Sequence, residues 1–160
     1  MELTYKSLMA KMKNEIGDIF TVKTAKGVGF LQLVKPVLHQ NDIELIKVFY
    51  DFYPKIPQDL NEVTKGDFYF LKFPINIAHK QKLVEKIGKV SLPNKFQLPT
   101  HFRDENPFGE GWHIINAKNW KRQTVLELTD DQRQLSPWSI ISYPDLVERL
   151  ENNWRLEDWI

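Results

Sequence analysis

The 160-residue chain has no cysteine. That excludes a disulfide framework, a thiol nucleophile and every cysteine-based zinc site, and it suits a reducing compartment. Glycine is scarce, at seven residues, and none falls into a phosphate loop or a Gly-x-Ser-x-Gly elbow. The "GVGF" at 27–30 lacks the third glycine and the following helix of a dinucleotide fingerprint. None of the four histidines stands at His-x-x-x-His spacing. Metal and cofactor are therefore not expected. Long apolar runs are missing too. The opening "MELTYKSLMAKMKNEIG" has no apolar signal-peptide core, and no stretch is long enough to span a bilayer. The expectation is a cytoplasmic protein with no membrane partner.

What is present describes a globular chain. Hydrophobic residues make up 42% and charged residues 27%, enough to build a core at this length and too apolar for disorder. One domain over 1–160 is expected. The net charge is only +1, but it is unevenly spread. Residues 76–103 hold five lysines and one arginine against one acid, whereas residues 104–160 hold six basic residues against eleven acids. Such asymmetry can steer a charged partner, or the two segments can lie side by side and neutralise each other.

Periodicity outlines the elements. Tyr5, Leu8, Met9, Met12 and Ile16 share one helical face, which predicts an amphipathic helix over 4–13. From Asp18 the period becomes two: Ile19 and Thr21 face one way, Phe20 and Val22 the other. Residues 18–52 read as a three-stranded antiparallel meander. Its second strand, "VGFLQLVK", is apolar enough for a central position, and Pro36 ends it. Residues 53–65 form a connector with one helical turn. "DFYFLKF" is a strand stopped by Pro74. Asn76 is expected to cap a helix over 77–87, with Gly88 just past its end. Residues 91–112 read as an irregular, aromatic-rich loop. "WHIINA" and "RQTVLELT" form a hairpin, Thr129 and Gln132 stand at capping-box spacing, "WSIISY" is a short strand, and Ser142 caps a C-terminal helix. The fold class is therefore α+β. It is an antiparallel, twisted sheet that could partly close into a small barrel, with an N-terminal, a middle and a C-terminal helix packed on it.

Catalytic equipment is thin. His101 and His113 flank the aromatic loop with Arg103 nearby, and a two-histidine ribonuclease needs such an acid, base and cation. Ordinary histidines on a loop and a strand are the favoured explanation, and no catalytic residue is assigned. Nucleic-acid binding through the basic 76–103 segment, with Phe96 and Phe102 stacking on bases, is the alternative reading. A near-neutral isoelectric point argues against it. Among five tryptophans, Trp120 and Trp159 have no evident core role, and exposed tryptophans favour interface hot spots.

"IGDIFTV", a glycine turn and "GVGFLQLVK" resemble the opening of the immunity protein 26 family. The matching residues are Gly17, Asp18, Ile19, Phe20, Gly29, Phe30 and Val34. The C-terminal part is similar in style, with a Trp-led strand at Trp112, a Leu-Thr boundary, and a helix carrying Glu148 and Arg149 that ends near Trp154. The resemblance covers about half the chain. It implies a cytoplasmic bacterial protein, not an enzyme, that binds and neutralises a toxin delivered by neighbouring cells. The motif residues Gly17, Asp18, Phe20, Gly29 and Phe30 look structural, so they name no toxin contact. If the toxin is a basic nuclease, the acidic 104–160 segment is the natural counterpart. The candidate contacts are Asp104, Glu105, Glu110, Asp130 and Asp131, with Trp120 as an aromatic anchor.

Overall fold

A computed structural model describes residues 13–39 and 41–160. The helix expected over 4–13 falls outside them, except at its last position. Two antiparallel sheets organise the chain. The first contains β1 (Asp18–Thr24), β2 (Gly27–Lys35), β3 (Leu45–Phe49), β4 (Phe68–Lys72) and β5 (Glu85–Lys89), in the spatial order β4-β3-β2-β1-β5. The second contains β6 (His101–Glu105), β7 (Trp112–Asn116) and β8 (Arg122–Val125) in sequence order. The fold is α+β. Because β4 and β5 form opposite edges of the first sheet, that sheet stays open and makes no closed barrel.

The meander forms as its alternation predicts, and β2 is the central strand. Phe20, Val22, Leu31, Leu33, Ile46 and Val48 bury one face of the first sheet. Helix α4 (Tyr143–Glu151) lies on that face through Leu146 and Leu150, and the short α2 (Ile75–Lys80) adds Ile75 and Ala78. On the other face, Ile19, Phe30 and Phe49 pack with Val63 of α1 (Asn61–Thr64). Further along that same face, Val34 and Leu45 meet Phe102 of β6 and Trp138. Burying both faces explains why β1 to β3 are so apolar.

The motif at 17–20 is architecture. Gly17 has φ +96°, and a Cβ there would come within 2.6 Å of the Val90 carbonyl oxygen. The Asp18 carboxylate accepts the Glu15 N–H at 2.8 Å and pairs with Lys86 at 3.2 Å. Phe20 and Phe30 are fully buried on opposite faces of the sheet, and Gly29 makes room for Leu150, whose Cδ1 would lie 3.3 Å from an added Cβ.

Three local expectations fail. The helix expected over 77–87 ends at Lys80. Lys82 takes φ 60°, the chain reverses, and Glu85–Lys89 pairs with β1 instead. Gly88, expected past a helix end, sits opposite Ile19 in that ladder. Asn76 lies inside α2, and Pro74 holds the cap position. An open edge on β1 outweighs a weak helical stripe, whose Ile77 and Leu83 remain exposed. β6 emerges from the stretch read as irregular, and "WSIISY" forms no strand. Its neighbour Pro137 makes a single bridge to Arg103. The other two caps form as expected: Thr129 and Gln132 exchange both capping-box hydrogen bonds at the start of α3 (Asp130–Arg133), and the Ser142 hydroxyl accepts from the Asp145 N–H at the start of α4.

Candidate functional site

The six residues proposed as contacts divide among three places. Asp104 and Glu105 lie on the last residues of β6. Asp104 is already engaged inside the molecule: it accepts the Ser139 hydroxyl at 2.8 Å and the Trp138 and Ser139 N–H groups at 3.3 Å. Glu105 is exposed and accepts the Trp159 indole N–H at 3.1 Å. Both line an open cleft of about 390 Å³ with His113, Arg122 and Arg149. Arginines in that cleft dilute its negative charge, so these two acids are weaker candidates than the sequence suggested.

Trp120 stands elsewhere, at the tip of the β7–β8 hairpin. Its ring is 71% exposed and its φ is 61°, a left-handed conformation that bulky residues rarely adopt. It flanks a groove of about 290 Å³ between the two sheets that also includes Trp138, Phe102, Leu98 and Lys72. The Lys72 amine lies over the Trp138 ring. Burial pushes that amine down to about 8, against the pull of Asp104 and Asp42, which favour its charged form.

Glu110, Asp130 and Asp131 belong to the opposite end of the second sheet. The register sets Trp112 against both Glu105 and Val125, so the β6–β7 loop and the exit from β8 emerge together. Gly111 makes this approach possible: its φ is +86°, and an added Cβ would lie 2.2 Å from the Val125 carbonyl oxygen. At this end Phe108, Leu126 and Ile160 are 87%, 73% and 72% exposed, the three most exposed large apolar side chains among the described residues. Leu126 and Ile160 line one shallow cleft with Glu127 and Arg133. Glu110, Glu127, Asp130 and Asp131 are all exposed around this end. Arg133 is the local cation, 3.8 Å from Asp130. The sequence reading identified Glu110, Asp130 and Asp131 and placed Phe108 in an aromatic-rich loop, but it missed Leu126, Glu127 and Ile160, because single residues in turns carry no periodic signal.

The histidine reading loses its geometry. His101 pairs with Asn116 and His113 with Asp104. Their positions on β6 are three residues apart, so the two imidazoles point to opposite faces of the sheet. Arg103 does not face a substrate. It is fully buried, sandwiched by the Trp112 and Trp159 rings, and donates to the carbonyls of Arg133, Leu135, Leu156 and Trp159. Burial lowers its guanidinium to about 10. The basic 76–103 segment also changes character. Lys86 pairs with Asp18 and Lys89 with Glu15, Phe102 is buried, and Phe96 packs half-buried near Phe70. No open aromatic platform for bases remains there. Among the described residues no group of three or more metal-ligating side chains gathers, and no helix is long and apolar enough to cross a membrane. No family model matches the chain, and neither a curated protein nor a solved structure does.

Proposed function

We propose that this protein is a cytoplasmic immunity protein that binds a cognate bacterial toxin domain and neutralises it by stoichiometric occlusion. The observation that carries the reading is the end of the second sheet, where Leu126 and Ile160 share a shallow cleft with Glu127, and Phe108, Glu110, Asp130 and Asp131 stand exposed on the adjoining loops. An apolar centre inside a charged rim is the anatomy of a protein–protein interface, and grouped apolar exposure is costly unless something covers it. Negative charge at the rim suits a basic partner such as a nuclease domain, which it would attract before contact. The resemblance of the Gly17–Val34 segment to immunity protein 26 supports the class of partner. Trp120, at the far end of the hairpin, is a second anchor only for a partner large enough to reach both ends.

The test is growth rescue. A toxin domain encoded beside this gene is induced in a bacterial host, with and without the protein. Rescue is expected, together with a one-to-one complex by calorimetry. Glu110→Lys combined with Asp130→Lys and Asp131→Lys should weaken that complex by about a hundredfold or more, mostly in the association rate at low salt. Asp104→Asn should leave association rates nearly unchanged. Absence of rescue would remove the function. Rescue with unchanged affinity in the triple variant would remove this surface.

A further inference from the structure

Beneath the C-terminal helix, four side chains that can donate hydrogen bonds line one small cavity. Tyr69 of β4 is 3% exposed, and its hydroxyl has no hydrogen-bond partner among the described residues. Nη1 of Arg149, on α4, is also buried and unpartnered, although the residue as a whole is only half-buried. The guanidinium sits beside the phenol oxygen and favours its ionisation both as a charge and as a hydrogen-bond donor, although the contact falls short of full hydrogen-bond geometry. Tyr50, just after β3, uses its hydroxyl oxygen to accept the Leu156 N–H at 3.3 Å, which leaves its own O–H hydrogen free to donate. Arg155 closes the group from the tail, its guanidinium 4.6 Å from the Tyr50 ring centroid. These four side chains surround a cavity of about 20 Å³, together with Leu150, Asn153 and Trp154.

Charge sharpens the point. No carboxylate lines this cavity. Neither Arg149 nor Arg155 forms an ion pair among the described residues, and Arg149 instead stacks on Trp154 at 4.5 Å. Acids stand outside it: Asp67 and Glu157 face Tyr50 and Arg155 from one separate cleft, and Asp104 and Glu105 share another with Arg149. Buried donors left without acceptors are expensive. The cavity is large enough for one small particle and no larger. A water molecule would accept from two of the donors and leave the positive charge uncompensated.

We propose that Tyr50, Tyr69, Arg149 and Arg155 form a binding site for a small monovalent anion of chloride size, which locks α4 and the C-terminal tail onto the edge of the first sheet. Burial raises the Tyr69 hydroxyl to about 12, so it remains a donor at physiological pH. The site is independent of the proposed toxin surface.

The experiment follows thermal unfolding at constant ionic strength while sodium gluconate is replaced stepwise by sodium chloride or bromide. A saturable rise in Tm with either halide is expected. Tyr69→Phe removes one donor and keeps the ring, and should weaken the halide response by roughly tenfold. Crystals grown in bromide should give an anomalous peak within hydrogen-bond distance of Tyr69 and Arg149. Superimposable chloride and gluconate curves would overturn the proposal. So would an unchanged response in Tyr69→Phe, a water in place of bromide, or an adventitious ion only, meaning a bromide peak without any halide-dependent Tm.

Discussion

Lys72 shows how a single side chain can work against the fold that holds it. Its amine is half-buried over the Trp138 ring and lowered to about 8 from its ordinary 10.5. Between those two values the unfolded chain binds a proton that the folded chain does not. Stability contributed at this site therefore rises as pH climbs through that window, and below it the charged amine carries a desolvation cost. Lys72→Met should be more stable than the parent at neutral pH, with the gap closing between pH 8 and 10.5. Urea midpoints measured across that range check it. A parent more stable at neutral pH would mean that the attraction of the Trp138 ring outweighs desolvation. A lysine after a run of aromatics gives no such warning in the sequence, because its neighbour Trp138 lies far along the chain. The reverse holds for Gly17 and Asp18, whose turn and local hydrogen bond depend on residues within a few positions and could be read directly.

Elements were legible where local chemistry and tertiary demand agreed. Helix α4 has its Ser142 cap, a proline in its first turn and an apolar stripe, and every one of those signals is local. Leu146 of that stripe is fully buried against β1 and β2 residues. Leu146→Ala should cost about 2–5 kcal/mol, as large-to-small changes in close-packed cores do, whereas Ser142→Ala should cost about 1 kcal/mol. Chemical denaturation of both variants tests that ranking, and comparable losses would mean the cap matters as much as packing. β5 and β6 were not legible. Residues 85–89 carry three charges and a glycine, and "HFRDE" alternates poorly. Each became a strand because a neighbouring strand offered unpaired backbone groups, a reason that lies outside its own residues.

At the scale of the whole molecule, the join between the two sheets depends on the segment around Ser136. Its hydroxyl accepts the Phe70 N–H from the edge of the first sheet, and its carbonyl accepts the Arg103 N–H from the edge of the second. Arg103 extends the join by holding carbonyls from residues 133–135 and from the tail. Arg103→Met would leave those acceptors buried without a donor, at a cost of about 3–5 kcal/mol. Faster amide exchange should follow in residues 154–160 and in β6. A urea midpoint close to the parent's would show that water replaces the guanidinium at no cost. Arg103 drew attention in the sequence as a cation between two histidines. Its true role needed three distant segments brought to one point.

The sequence by itself determined the α+β class, the antiparallel meander with β2 at its centre, both helix caps and the structural character of the Gly17–Phe20 motif. Those features follow from alternation, capping chemistry and backbone freedom, all of which act over a few residues. Only the tertiary structure decided that the first sheet stays open, that β5 is a strand, and that Arg103 is a buried clasp. It also separated Trp120 from the acids with which it had been grouped, and it gathered Phe108, Leu126 and Ile160 at one end. These outcomes depend on which distant backbone edges and side chains meet, and contact between residues far apart in the chain leaves no period in the sequence to read.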